Sequence, residues 1–566
     1  MQLLYLWINK YSCFEKANLN FCESPRFDFN EKTKQLKKIK NETNISLFPL
    51  KRNGLNEENC IDNISILVGS NGAGKTSICK FLYDLFFYHA KIQNFIVIYK
   101  IDGVKYITTD YDIKISELNM MDIKPVKLGN APFNMVFYSP IYSHDHHFGT
   151  LSGGNTLFKD VSTTYTIKND IIQYKNETSG IEYTDKISEV DAHDILDHKR
   201  YATFLSYFLK AESNIDLGIT LSNYIYFSYD KNAFELFDQE SNIDTIVSNI
   251  FNELFFNINK KNLKEKFIDT IALAEYCTFC RIYIFGNKTG QAEVFQKVFI
   301  SILHEYDYKN KNITVSNKIM EIFGLFSETF ELVEWVSFIH ILRQVDETNF
   351  EDGYVRFDLT KEKEANNWIM LDYFYDRISS VYNFGEFHLI PTPSSGEYCE
   401  LQIYSRLLEG ISKIINDNDN KNFIIFLDES EITLHPKLQQ HLIKNIINFL
   451  NELYIKQNYK FHIIFATHSP IILSDLPKDN VIFLKKEDEQ TKSVVTNLAE
   501  NRNTFAASIF ELYKESFFID TTTTGLFAKE IINMALQSDN KDFKNYIVNS
   551  IGDKLLKGLI NGEDKK

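Results

Sequence analysis

At 566 residues the chain is long enough for several domain-sized units, and its net charge of −15 excludes a protein that coats nucleic acid through overall basicity. A local basic patch stays open, because binding answers to the local field rather than the sum. Seven scattered cysteines, no apolar run long enough to span a bilayer, and a start without a basic leader point to a soluble protein of the reducing cytoplasm with no membrane contact.

Residues 1–60 read as β-rich, with short strands at Leu3–Ile8, Arg26–Phe29 and Ile45–Leu50. An apolar strand from Ile64 then runs into Gly69-Ser70-Asn71-Gly72-Ala73-Gly74-Lys75-Thr76-Ser77, followed by helical spacing to Phe86. Strand, Gly-rich turn and helix start are what phosphate binding requires. The glycines let backbone N–H groups point inward, and the helix dipole favours negative charge. Lys75 brings a cation for the β- and γ-phosphates, Thr76 a hydroxyl for magnesium. This stretch is therefore read as a nucleoside-triphosphate site.

Residues 94–111 predict a hairpin, and Phe133–Ser139 a central strand. From about 150 to 385 apolar residues recur three and four apart, as in His193–Ala211, Ile246–Phe256 and Ala292–Tyr306, which predicts a helical inserted lobe. Sustained heptads are missing, so no coiled-coil arm is expected. Phe387–Ile390 is expected to resume the first unit, with a helix from Glu397 to about Ile415. Strand Phe423–Leu427, helix Pro436–Leu453 and strand Phe461–Ala466 follow in βαβ order, then a mostly helical tail. The expected fold is α/β, a mixed sheet with flanking helices and a large mainly helical insertion. Its expected divisions are 1–149, 150–385, 386–486 and 487–566.

Three further motifs carry chemistry. The strand before Asp428-Glu429 is apolar enough to be buried on both faces, so it delivers two carboxylates to its C-terminal end. Asp428 can reach the magnesium shell and Glu429 the attacking water as general base, although Asp-Glu is also common at strand ends. His468 closes the next strand, placed for the γ-phosphate or for capping a turn before Ser469-Pro470. Ser394-Ser395-Gly396-Glu397 opens a helix, and reads either as a second phosphate contact or as an N-cap with Glu in the first turn. Leu151–Asn155 resembles an ATP-cassette signature by its letters, but no clear helix follows it.

Together the motifs at 69–76, 394–397, 427–436 and 466–470 resemble the ATP-binding-cassette ATPases of the RecF, SMC and OLD type, a P-loop fold. Glu431 and Leu434-His435-Pro436 are similar to the overcoming-lysogenization branch of bacterial AAA-family proteins. The resemblance implies ATP and Mg2+ as cofactors, hydrolysis through Glu429 and His468, and magnesium at Thr76 and Asp428. It implies a homodimer, or a higher oligomer, with ATP sandwiched between subunits. Ser394 and Gly396 then meet the γ-phosphate held by the other subunit's Lys75, and the Glu431-to-His435 loop crosses the interface. Two residues depart from the pattern: Pro393 stands where Leu is usual, and Gln93 is badly placed to be the magnesium-sensing glutamine, leaving Ser139 in that position.

The segment after His468 has no Glu-Gly plus Asp-x-Asp arrangement, so no nuclease is expected within the chain. Thr504–Ile509, Glu515–Asp520 and Gly525–Lys529 resemble the C-terminal pattern of PtuA-like ATPases of Septu and retron anti-phage defence systems. That implies a separate partner nuclease of HNH type and contact with nucleic acid. A RecF- or SMC-like repair or chromosome-maintenance factor is the alternative, and a translation-associated or toxin-linked ATPase a third. Cys277 and Cys280 read as buried thiols on one helix face rather than a zinc hook. His144–His147 reads as a solvated loop rather than a metal site.

Overall fold

The computed structural model describes residues 1–39 apart from 23, 59–113, 121–143, 156–177, 189–210, 221–229, 245–258, 262–280, 290–307, 313–325, 342–359, 385–487, 492–496, 503–516 and 526–552, with isolated residues between them. Strands β1 (Gln2–Tyr11), β2 (Phe14–Asn20), β3 (Arg26–Asn30), β4 (Gln35–Ile39) and β5 (Ile61–Gly69) lead into helix α1 (Lys75–Phe86). Strands β6 (Phe95–Ile101), β7 (Val104–Thr109), β8 (Ile123–Pro125), β9 (Asn134–Tyr138) and β10 (Phe158–Asp160) follow. Next come α2 (Thr163–Glu177), α3 (Glu189–Lys210), β11 (Tyr224–Tyr229), α4 (Thr245–Phe256), α5 (Leu263–Cys280), α6 (Gly290–Glu305) and α7 (Val315–Gly324). After β12 (Phe350–Glu351), β13 (Tyr354–Asp358) and β14 (Gly385–Ile390) run α8 (Ser395–Asp417), β15 (Asn422–Asp428), α9 (Pro436–Tyr454) and β16 (Lys460–Thr467). The described chain closes with α10 (Pro470–Leu473), β17 (Val481–Glu487), β18 (Lys492–Thr496), α11 (Ile509–Ser516), α12 (Leu526–Gln537) and α13 (Lys541–Ser550).

The fold is mixed α/β, built on a 12-stranded sheet in the order β10-β9-β15-β16-β5-β17-β18-β2-β1-β6-β7-β8. Its first six strands run parallel, so their C-terminal ends share one edge. Such strands are buried on both faces, which is why Ile66–Val68, Phe423–Leu427 and Ile463–Ala466 are unbroken apolar runs. One face packs against α1, whose Ile78, Phe81, Leu82 and Leu85 are fully buried, each stabilising by about 1.5–3 kcal/mol. The other face packs against α8 and α9 through residues such as Ile411, Leu442 and Phe449. The β3–β4 hairpin covers a third cluster with Trp7, Ile98 and Ile107.

The structure departs from the sequence expectation at four places. Phe133–Ser139 yields β9, second from the sheet edge rather than central, although all five of its strand residues are buried. The 150–385 region is mainly helical as expected, but it also carries strands the sequence did not announce: β10 joins the main sheet beside β9, and β11, β12 and β13 belong to a second sheet. Strand β14, expected to resume the first unit, pairs instead with β11. Beyond 480 the β17–β18 hairpin completes the main sheet, β17 lying against β5. The expected divisions at 150, 386 and 487 thus cut across strand pairings. Ile45–Leu50, His144–His147 and Leu151–Asn155 lie outside the described residues.

Helices α2, α3 and α8 are tied by a buried charge network. Arg406 of α8, fully buried, donates to Asp197 of α3 at 3.0 and 3.2 Å and to Thr163 of α2 at 2.8 Å. Arg200 of α3 donates to Asp170 at 2.6 Å and to Glu409 of α8 at 2.8 Å. Burial favours the neutral acid at Asp197, yet the two guanidinium groups hold its carboxyl well below the usual range. Cys277 and Cys280 are both buried in α5. Among the described residues no helix is long and apolar enough to cross a membrane.

Candidate functional site

The C-terminal edge of the parallel strands gathers the motif residues from β5, β15 and β16. Beyond β5 the chain turns through Ser70–Ala73, where Ala73 N–H donates to Ser70 O at 3.1 Å. Gly74 then opens α1 with φ 91°, a left-handed conformation that disfavours any Cβ. A Cβ here would also fall 2.3 Å from Cys13 Sγ and 2.8 Å from the Phe14 ring, because the β1–β2 turn packs on the helix start. No side chain caps α1. Its first-turn N–H groups therefore have no intrahelical acceptor and none from a cap.

Lys75 is 6% exposed and points back under the loop. Its Nζ donates to Gly69 O at 3.2 Å and lies 2.6 Å from His468 Nε2. Burial lowers the Lys75 pKa, against the raising pull of Glu429, Asp428 and Glu431. Thr76 Oγ1 donates to Asp428 Oδ2 at 2.6 Å, bridging the helix start to the end of β15. Burial pushes the Asp428 carboxyl up to about 6, opposed by that Thr76 bond.

Glu429 follows with φ 51°, the left-handed region for a residue with a Cβ, while its N–H donates to Ala466 O at 2.8 Å. That turn breaks the strand's alternation and lets adjacent carboxylates serve one edge. Glu429 Oε1 is 3.4 Å from His468 Nε2. The His468 contact, with Lys75 behind it, holds the Glu429 carboxyl below its ordinary range against partial burial.

Glu431 departs from the expected interface loop. It is 4% exposed, accepts from Thr467 Oγ1, and accepts from His468 N–H at 3.3 Å. Desolvation raises its carboxyl pKa. The residue braces the end of β16, because the turn after Glu429 folds inward with Leu434 buried beside it. Ile432 and His435 do face solvent, His435 accepting from Lys437 N–H at 3.2 Å as the cap of α9.

Ser394 and Ser395 are exposed at the start of α8. Ser394 N–H donates to Glu397 Oε2 at 2.8 Å and Glu397 N–H donates to Ser394 Oγ at 3.4 Å, a reciprocal capping box. Gly396 packs close to α9, where an added Cβ would lie 2.9 Å from Leu438 Cδ1. These contacts are those of a well-made helix start. Ser139 is buried and takes Ile141 N–H on its hydroxyl at 3.4 Å.

Sequence reading missed two contributors. Gln439 of α9 donates to Glu431 O and Leu434 O and accepts from Ser469 Oγ at 2.7 Å, joining the two loops that carry Glu429 and His468. Cys13 and Phe14 shape the floor beside Gly74. Only the position of Gln439 one turn into a helix after Leu434-His435-Pro436 hinted at the first, and nothing in the sequence marked the second. No protein-family model matches this chain, and no curated protein matches it.

Proposed function

We propose that the chain is an ATPase of P-loop, ATP-binding-cassette type that gates a partner by binding and hydrolysing ATP with magnesium. The observation that carries the reading is the Thr76–Asp428 bond of 2.6 Å beside a buried Lys75 and an uncapped helix start. Phosphate oxygens would take the N–H groups of Gly72 to Ser77, with Lys75 turning from Gly69 O and His468 toward them. Thr76 and Asp428 suit magnesium, whose charge would offset that of the β- and γ-phosphates. Glu429 acts as general base for the attacking water, and His468 keeps that water and the γ-phosphate in line.

In this reading two copies pair over their nucleotides, Ser394 and Gly396 of each meeting the γ-phosphate on the other, with Ile432 and His435 along the join. The chain then serves as a sensor in bacterial anti-phage defence, of PtuA-like kind, contacting nucleic acid and controlling a separate HNH-type nuclease. The test is light scattering of Glu429→Gln with ATP and magnesium, alone and with the product of the neighbouring gene, beside Lys75→Ala. The expected result is an ATP-dependent dimer for Glu429→Gln that recruits a nuclease, and no nucleotide binding for Lys75→Ala. A nucleotide-bound monomer would end the sandwich; unimpaired binding by Lys75→Ala would end the assigned site.

A further inference from the structure

Three lysines are held together at the far side of the sheet from the Lys75 edge, on strands β4, β6 and β7. Lys100 and Lys105 are direct cross-strand partners in the β6–β7 ladder. Like charges facing across a ladder repel, so the pairing weakens the sheet unless something else uses it. Both share a face with Ile98 and Ile107, because each stands two residues from one of them in a period-two pattern. Lys38 comes to the same place on β4, two residues after the buried Leu36. Burial first, and then the nearby charge of Lys38, lower the Lys105 pKa; Lys100 acts in the same direction and Asp122 against it.

Lys105 Nζ donates to Met121 O at 3.1 Å and feels the opposing charge of Asp122, while Asp102 sits in the turn between Lys100 and Lys105. Neither Lys38 nor Lys100 has an ion-pair partner among the described residues. Lys34, exposed in the β3–β4 turn, lies four residues before Lys38, while Lys37 takes the opposite face of β4 across from Asp28. Protection of a sheet edge would need charge only on the outermost strand, β8, whereas Lys100 lies two strands inside it.

We infer that the face formed by Lys38, Lys100 and Lys105 binds the phosphodiester backbone of a nucleic acid. The lysines come from three strands, so their charge is spread over a face rather than set on one loop, which suits an extended polyanion. Lysine offers point charges to phosphate, without the bidentate geometry that reads base edges, so binding is insensitive to sequence. An anionic membrane fits less well, because membrane attachment needs an apolar insertion and the residues between the lysines (Leu36, Ile98, Ile107) are buried. In a chain of net charge −15, such a face is a local exception that fixes which way the polyanion approaches.

The inference rests on the nucleic-acid part of the proposed function and is independent of the nucleotide site. The test is fluorescence anisotropy of a labelled DNA duplex across a salt series, with the full chain, the Lys38→Ala/Lys100→Ala/Lys105→Ala variant and the corresponding triple Lys→Arg variant. Binding of a fluorescent ATP analogue is measured on the same preparations. The parent should bind with a log–log salt slope near the −0.9 per phosphate contact expected of duplex DNA, and the alanine variant should lose about three contacts from that slope. The arginine variant should retain binding. Melting of the alanine variant should be unchanged or higher, since a repulsive pair has been removed. Equal DNA affinity and slope for parent and alanine variant would overturn the inference, as would binding only to phosphatidylserine vesicles. Loss of the ATP analogue in all three proteins, with DNA binding intact, would instead count against the nucleotide site alone.

Discussion

Glu429 concentrates the tension between stability and chemistry in one residue. Its φ of 51° is a conformation that costs a residue with a Cβ roughly 1–2 kcal/mol, and no glycine relieves it. Left-handed residues with a Cβ recur in this chain, as at Lys16, Lys34 and Ala506, so the backbone alone assigns Glu429 no role; its place beside His468 is what the proposed general base rests on. The expected outcome for Glu429→Gly is a melting temperature equal to or above the parent's, with ATP turnover reduced about 10²–10⁴-fold as for loss of a general base. Differential scanning calorimetry beside a phosphate-release assay checks it. Lower stability with turnover intact would mean that the carboxylate serves the fold alone.

Between elements, polar contacts fix how the strands register, and His462 is the clearest case. It lies fully buried on β16, where Leu3 N–H of β1 donates to Nδ1 at 3.0 Å and Ser65 Oγ of β5 lies 2.8 Å from Nε2. With Nδ1 accepting, the ring is neutral and Nε2 carries the proton. Burial lowers its pKa to about 3, so the folded state resists the proton that the unfolded chain takes up near 6.5. The stability His462 protects is fully present above pH 6.5 and falls by at most about 1.4 kcal/mol per unit as the pH drops toward 3. A His462→Gln variant should be less stable at neutral pH and show a shallower loss of melting temperature between pH 6.5 and 4. Parallel curves for the two proteins would show that the ring does not titrate on unfolding. The sequence displayed His462 only as a polar residue inside an apolar run. Its partners are more than 390 residues away, and no local pattern encodes them.

The whole molecule shows where sequence periodicity stops being informative. Helices with a full apolar stripe, such as α8 and α9, and strands closing on a motif, such as β5, β15 and β16, were legible because burial on known faces dictates their residues. So was the gathering of Lys75, Thr76, Asp428, Glu429 and His468, since parallel strands must end on one side. Strand β10 was not, because three residues show no period, and β14 was not, because an apolar strand does not announce its partner. The inward turn of Glu431 was equally hidden, depending on Thr467 across the sheet.

These misses change how the 150–385 region is regarded. As a helical insertion it could be removed. As observed, it supplies β10 to the main sheet and, through Asp170, Asp197 and Arg200, the counter-charges for Arg406 and Glu409 of α8. Removing residues 150–385 would take away the partners of Arg406 and Glu409 and open to water the side of α8 that α2 and α3 cover, together with the edge of β9 that β10 pairs. A chain in which a Gly-Ser linker replaces residues 150–385 should therefore be insoluble or lack a cooperative melting transition. Adding Arg406→Met to it should not rescue the fold, because without α2 and α3 the guanidinium stands in water. Circular dichroism melts of the two chains beside the parent decide the matter. A cooperative transition at the parent's temperature in the first chain would mean that the sheet and α8 stand without α2 and α3, and that the charge network joins two independent bodies.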